Sequence, residues 1–480
     1  MRRTQPSATQ IFSFPCQSLF LAGFLYIKMS KINFSKIKIV HLFGIGGIGV
    51  SAVARMLLGM GKTVSGSDRT SSEITDELVK LGVKITIGDQ KVSEIPIDTD
   101  LIIYSAAIEV AEPELLAEIK KLKIPSLSYS EALGEISHGK YTIAIAGTHG
   151  KTTTTGMVGT VLIDIGLSPT VIIGSILNRE RSNFVAGGVP RLNLGIKNQG
   201  LTLEHGGYFV VEADEYRRSF LSLSPTILVI TNIDLDHLDY FHDMADIQLA
   251  YAALAAKVPN DGVIVVNPSH PNVKPVLLRA KAPILDYTSA DTIGLKLPLP
   301  GKHNIENAQV ALTIGGHLGL PRAKILRALN NFQGTWRRFE KVGETSWGAL
   351  VYDDYAHNPQ KISALIEGAR EKFPDKKITT VFQLHLYSRT KTLFDGFISS
   401  LAKADRIVLA PIFPAREPFD PSISSEMLAN KIRPLNSHVF YLPTFDAIVA
   451  ELQKTASKKD VIITVGAGDI YKVAKILVKN

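Results

Sequence analysis

Cysteine is almost absent. The 480 residues contain only Cys16, so no intramolecular disulfide can form and a reducing, cytoplasmic location is expected. The net charge of +8 suits acidic ligands such as nucleotides, but no lysine and arginine block with interleaved aromatics occurs, and nucleic acid is not expected. There is no internal repeat and no low-complexity tract. The longest apolar run, Ile11 to Ile27, follows Arg2 and Arg3 as a signal peptide would, yet it contains Pro15 and the polar pair Gln17-Ser18, lacks a clear cleavage site and is short for a membrane span. Met29 then opens a second start that runs directly into a strand. Residues 1–28 therefore read as a mis-assigned upstream start or a disordered extension, and no stable membrane association is expected.

What remains is an ordinary globular composition, 45% hydrophobic and 20% charged, in a chain too long for one core, which predicts two to four domains. Its organising stretch is Tyr141 to Thr155, YTIAIAGTHGKTTTT. The apolar run Thr142–Ala146 has the length of a buried parallel strand and breaks into Gly147-Thr148-His149-Gly150-Lys151-Thr152 before a helix-like segment, Gly156–Asp164. Strand, glycine loop and helix make a phosphate cradle: backbone N–H groups and the helix N-terminus face an anion, Lys151 reaches the outer phosphates, and the Thr152 hydroxyl can take a Mg²⁺. The usual phosphate loop carries a glycine where this chain has Ile145, so the loop is a shorter variant.

Upstream, Ile37–Phe43 reads as a strand followed by Gly44-Ile45-Gly46-Gly47-Ile48-Gly49 and a helix to about Gly59; Asp68 closes the next strand, Thr63–Ser67, at the spacing that reads a ribose hydroxyl. A third strand, Leu101–Tyr104, leads to Ser105 at the same sheet edge. This pattern serves NAD, FAD and UDP-sugars alike, and it predicts a diphosphate-bearing nucleotide at a helix N-terminus. Downstream of the loop, residues 183–207 read as an irregular, glycine-rich segment. Strand Tyr208–Val211 ends in Glu212-Ala213-Asp214-Glu215, where a triphosphate's Mg²⁺ needs oxygen ligands; Glu212 is the first candidate and Glu215 the second. Strand Ile227–Thr231 runs into Asp234, Asp236, His237 and Asp239, of which His237 can ligate a second Mg²⁺ or pair with an acid. Pro300 to Asn307, after a weak strand, opens an alanine-rich helix whose Asn304 can meet a base or ribose or simply cap the helix. Trp336 to Glu340 reads as a linker strand carrying Arg337 and Arg338. Four further strands, Val351 onward, Thr379–Gln383, Ile407–Pro411 and Val461–Val465, each end in polar residues and predict a second doubly wound sheet.

The ordered set GIGGIG, GTHGKTTTT, EADEY, TNIDLDHLD, GKHNIENA, RRFE, DDYAHNP, FQLHLYSRT and GAGDIY resembles the Mur ligases of peptidoglycan precursor synthesis from about Lys36 to the end. The resemblance implies an α/β fold of three domains after an extension over 1–35. These are a Rossmann-like UDP-sugar domain over 36–139, a P-loop ATPase with a mainly parallel sheet over 140–330, and a Rossmann-like amino-acid domain over 331–480. It implies ATP and Mg²⁺ as cofactors, UDP-N-acetylmuramate and L-alanine as partners, and amide formation through an acyl phosphate. Residues Gly147, Thr148, His149, Gly150, Lys151, Thr152 and Thr153 would carry the phosphates, with Thr152 and Glu212 on one Mg²⁺ and His237 on a second. Asn304, Arg337, Arg338 and Asp353 would reach the nucleotide; Lys151, His357, His385 and Arg389 would serve catalysis; Gly46, Gly47, Ile48, Gly49, Asp68 and Ser105 would hold the sugar nucleotide. The family loop reads Phe-Gln-Pro-His-Arg-Tyr-Ser-Arg, whereas this chain has Leu384 and Leu386 at the proline and first arginine, which leaves Arg389 to carry more of the amino-acid contact. Other Mur-type or folylpolyglutamate-type ligases stay open, as do a tripeptide-adding recycling enzyme, a nicotinamide-dependent dehydrogenase built on the first glycine motif, and a nucleotide-gated regulatory protein. Lys151→Ala is expected to abolish product and leave the fold intact, if the loop lies at the surface. Oligomeric state is open.

Overall fold

A computed structural model describes residues 32–188, 207–237, 239–415 and 417–479. The expected N-terminal extension lies almost wholly outside these residues, as do most of the glycine-rich segment after Val185, Leu238 and Arg416. The chain divides into a short unit ending at Lys36 and one compact unit from Ile37 onward. In the first, the described residues form a turn in which Ser35 Oγ donates to Asn33 Oδ1 at 2.6 Å. Among the described residues no helix is long and apolar enough to cross a membrane.

The described residues of the second unit form three sheets. The first is wholly parallel, with strands β1 (Ile39–Phe43), β2 (Thr63–Asp68), β3 (Lys84–Ile87), β4 (Leu101–Tyr104) and β5 (Ser126–Ser128) in the order β3-β2-β1-β4-β5. The second orders β12-β11-β10-β6-β9-β7-β8 from β6 (Tyr141–Ala146), β7 (Thr170–Leu177), β8 (Ser182–Val185), β9 (Tyr208–Glu212), β10 (Ile227–Ile230), β11 (Val263–Val266) and β12 (Ile284–Asp286); only the β7–β8 pair is antiparallel. The third orders β13-β14-β18-β15-β16-β17 from β13 (Glu340–Glu344), β14 (Leu350–Asp354), β15 (Lys377–His385), β16 (Arg406–Phe413), β17 (Val439–Tyr441) and β18 (Asp460–Val465), with β13 alone antiparallel to its neighbour.

The central strands are continuous apolar runs because both faces are covered by helices. Ile143 and Ile145 of β6 are fully buried in one core with Met157, Val158, Val161 and Leu162 of the following helix. Each such side chain contributes about 1.5–3 kcal/mol by leaving water. That helix runs from Lys151 to Ile165, starting five residues before the expected Gly156 and taking in the four consecutive threonines. Threonine is a weak helix former because its branched Cβ crowds the preceding turn. Here a tertiary contact helps override the propensity, Thr154 Oγ1 donating to Asn307 Oδ1 at 3.0 Å, while Thr155 Oγ1 turns back onto its own helix and donates to Lys151 O at 2.8 Å.

Two further expectations are corrected. Trp336 to Phe339 is a turn rather than a strand, with Arg337 and Phe339 at φ 58° and 48°; the strand starts at Glu340. The stretch before Pro300 holds no strand, the nearest being β12, which ends at Asp286.

Candidate active site

Strand order decides which loops meet. β6 lies between β9 and β10, so the glycine loop leaving its C-terminal end is flanked by Glu212 on one side and by Thr231 and Asn232 on the other. The β10 tip lashes the loop down. Asn232 O and Oδ1 accept from the N–H groups of Thr148 and His149 at 3.1 and 2.9 Å, and Thr231 Oγ1 donates to His149 O at 2.6 Å. Thr148 and His149 therefore shape the loop with their backbone. The N–H groups facing outward are those of Gly150 to Thr153, which have no backbone partner among the described residues and crown the helix N-terminus. Gly147 has φ +132°, and a Cβ there would lie 1.9 Å from Thr231 Oγ1. Gly147→Ala is expected to lower thermal stability and to weaken nucleotide binding by about tenfold or more, read by thermal unfolding and calorimetry.

Lys151 lies in the floor of the loop, its Nζ donating to Gly147 O at 2.6 Å and to both oxygens of Glu215 at 2.9 and 2.7 Å. Burial works against the ammonium, but Glu215 and Asp214 more than compensate and hold its pKa above the ordinary lysine value. The pair is not at the surface: the two side chains are 13% and 3% exposed. Thr152 Oγ1 donates to Glu212 Oε1 at 3.0 Å, and Gly174 N–H donates to Oε2 at 2.8 Å. Burial pushes the Glu212 carboxyl up, only partly offset by Lys151 and these donors. A desolvated carboxylate beside a hydroxyl is a hard-oxygen set that fits a divalent cation. His237, at φ 53°, brings a ring nitrogen within 4.8 Å of carboxylate oxygens of Asp214 and Glu215, a second set that fits a metal.

These groups open onto a cavity of about 480 Å³ whose far wall comes from the third sheet. Arg338, Asp354, His357 and Arg389 line it, together with an apolar end formed by Tyr287, Leu299, Pro300 and Leu365. Asn304 lines it too, with its Nδ2 donating to Pro300 O at 2.7 Å and its Oδ1 accepting from Asn307 at 3.3 Å. Burial pulls the His357 imidazole down to about 3, so it is neutral at physiological pH. Its Nδ1 faces Tyr355 O at 2.9 Å, which assigns the proton to Nδ1 and leaves the Nε2 lone pair free.

Two expected nucleotide contacts are displaced. Arg337 and Asp353 do not line the cavity: they form a buried ion pair at 2.7 Å, and the remaining guanidinium nitrogens donate to Gly466 O and Gly468 O at 2.6 and 2.8 Å. With every side of the guanidinium occupied, Arg337 pins the β18 tip, and the neighbouring Arg338 and Asp354 face the cavity instead. His385 is also absent from the cavity lining; it stacks on Phe413 with its Nδ1 3.1 Å from Arg389 Nη1, so it orients Arg389. Leu386 is likewise absent from the cavity lining.

At the first sheet, the glycine loop crosses the β1–β4 junction beside Ser105, whose N–H donates to Phe43 O at 3.1 Å. Its own donors are mostly used internally. Gly46 N–H donates to Asp68 Oδ2 at 2.8 Å and Gly47 N–H to Gly44 O at 3.1 Å. Asp68 thus braces the loop rather than presenting a free carboxylate to a ribose, and among the described residues the donors left open are those of Ile48, Gly49 and Val50 in the first helical turn. This helix, Ile48–Gly59, is joined to the second sheet by Asn183, whose Nδ2 donates to Ile48 O and Ser51 Oγ at 2.5 and 2.8 Å. The Tyr129 ring packs on Gly49, where a Cβ would lie 2.6 Å from the ring.

Lys361, one turn into the helix Pro359–Lys372, also lines the cavity, and sequence reasoning missed it. The Asn358-Pro359 pair, a cap followed by proline at the first helical position, was the available signal, because it fixes which residues of the first turn sit over the strand tip.

Comparison with known proteins adds three consecutive family matches: the Mur ligase family catalytic domain over residues 39–141, the Mur ligase middle domain over 145–292, and the Mur ligase glutamate ligase domain over 337–468. The chain is 38% identical over 482 residues to the UDP-N-acetylmuramate–L-alanine ligase of Lachnospira eligens, covering 94% of this chain and 100% of that one. It is 38% identical over 470 residues to the enzyme of the same name from Clostridium botulinum strain Langeland, covering 92% and 98%. Among solved structures, the UDP-N-acetylmuramate-alanine ligase of Thermotoga maritima superposes with a TM-score of 0.73 at 27% identity, over 92% of this chain and 98% of that one.

Proposed function

The chain belongs to the Mur ligase family, and from that premise we propose that it joins L-alanine to the lactyl carboxylate of UDP-N-acetylmuramate with cleavage of ATP, in cytoplasmic peptidoglycan precursor synthesis. The names of its relatives support this choice of substrates. The observation that carries the chemistry is the single cavity in which the Lys151 loop faces His357 and Arg389 of the third sheet.

A carboxylate is a poor electrophile until one oxygen becomes a leaving group. The lactyl oxygen attacks the γ-phosphorus and ADP departs; the alanine amine then attacks the acyl carbon, loses a proton, and phosphate leaves with that oxygen. The N–H groups of Gly150 to Thr153 and the Lys151 ammonium hold the phosphates, and the apolar end between Tyr287 and Leu365 takes the base. Thr152 and Glu212 would hold one Mg²⁺, and His237 a second. Bound there, the metal would screen phosphate charge as two anions approach. His357 Nε2 accepts a hydrogen bond from the incoming amine and orients it, its weak basicity leaving the released proton to solvent, and Arg389, held by His385, pairs with the amino-acid carboxylate. The sugar nucleotide lies against the first turn after Gly47, beside Ser105.

Incubation of the purified protein with ATP, Mg²⁺, UDP-N-acetylmuramate and single amino acids tests this, following phosphate and amide together. Phosphate release should require the sugar nucleotide and be fastest with L-alanine. Release that ignores the sugar nucleotide contradicts the reading.

A further inference from the structure

Lys361 is the third residue of its helix, and its backbone is fixed because its N–H donates to the Asn358 side chain at 2.9 Å. Its side chain reaches into the same cavity as the phosphate loop, and among the described residues its ammonium makes no ion pair and no hydrogen bond. The groups facing it come from every neighbouring element: Arg338 from the turn before β13, Asp236 after β10, Lys151 of the loop, and Arg389 after β15. The imidazoles of His149 and His357 feel its charge as well. Three of the charged neighbours are cations and one is an acid. Lys151 is compensated by Glu215, and Arg338 lies over the Tyr355 ring beside Asp354, so among the described residues Lys361 and Arg389 are the cations of this wall without an ion pair, and Asp236 is the one acid acting on Lys361.

A desolvated ammonium in a cationic wall is unfavourable until an anion arrives. Burial and Arg338 accordingly bring its pKa down to about 8. Its position names the anion: it lines the cavity with Lys151, His149 and Arg338, where the outer phosphate of a nucleotide held by the loop would lie.

We propose that Lys361 is a second phosphoryl-contacting residue, supplied from the third sheet to the γ-phosphate held by the Lys151 loop. The assignment rests on the ligase reading above, which it extends to a group outside the loop. The helix thus carries half of the clamp on the transferring phosphoryl, so a triphosphate draws the two walls together and a diphosphate does not.

Calorimetry with ADP and with a non-hydrolysable β,γ-imido analogue of ATP, each with Mg²⁺, tests the assignment on the full chain. Lys361→Met should weaken the triphosphate analogue by about tenfold or more and leave ADP within about twofold, as expected for the loss of one charge-assisted contact. Lys361→Arg should restore most of the difference. Thermal unfolding of Lys361→Met without ligand should match or exceed that of the parent, because a partly buried charge without an ion pair has been removed. Equal losses for both nucleotides, no loss for either, or an effect confined to the KM for L-alanine would each overturn the assignment. A parent protein that binds neither nucleotide overturns the ligase reading itself, a result separate from discrimination that Lys361→Met leaves unchanged.

Discussion

Lys151→Met should lower kcat by about a thousandfold or more, because the outer phosphate loses its principal cation where water is excluded. It should also destabilise the protein. Glu215 is 3% exposed and spends both carboxylate oxygens on the lysine, so removal of the ammonium leaves a buried, uncompensated charge. Breaking such a pair costs about 3–5 kcal/mol. The loop's buried floor is the reason Lys151→Ala cannot leave the fold untouched, contrary to what a surface loop would allow. The double variant Lys151→Met/Glu215→Gln separates the two effects: denaturant unfolding should recover most of the lost stability while turnover stays abolished. A single variant as stable as the parent would show that the pair contributes nothing to folding, and a single variant with near-normal turnover would remove Lys151 from the mechanism.

Arg337→Met should produce the opposite pairing of effects. The substitution strips Asp353 of its partner and leaves Gly466 O and Gly468 O without a donor, all in a region closed to water. The expected loss is about 3–5 kcal/mol of unfolding free energy. The folded fraction should keep its affinity for ATP, since neither Arg337 nor Asp353 lines the cavity. Arg338→Met should do the reverse, weakening nucleotide binding with little change in stability. Equilibrium unfolding and calorimetry on both variants decide the matter; a stable Arg337→Met protein that no longer binds nucleotide would return that residue to the nucleotide site.

These two positions also show where the sequence was informative. Apolar runs ending in glycine or acidic residues marked the strand tips, because parallel strands buried on both faces leave a hydrophobic signature and loops at their C-terminal ends carry the polar groups. That made the three α/β sheets and the Lys151 loop legible from the motifs alone. Which of two adjacent arginines faces the cavity was not legible, because the left-handed backbone at Arg337 reverses the alternation that a strand would have imposed. Asp353 and Asp354 are ambiguous for a related reason: successive strand residues point to opposite faces, and only the sheet order says which face meets the nucleotide. Glu215 reads from the sequence as a second metal candidate, and the structure keeps it beside Asp214 and His237, but its pairing with Lys151 was not legible because that contact joins residues 64 positions apart. Asn232 lay inside the TNIDLDHLD motif without a role of its own, and Lys361 carried no motif; strand order and a helix cap bring them to the site.

The central claim, that ATP's terminal phosphoryl group passes to a carboxylate before the amine attacks, is tested most directly by oxygen transfer. UDP-N-acetylmuramate labelled with heavy oxygen in its lactyl carboxylate is turned over with ATP and L-alanine, and the released phosphate is analysed by mass. The account predicts one labelled oxygen in each phosphate, carried over from the acyl phosphate. Phosphate free of label, formed alongside the amide, would contradict it.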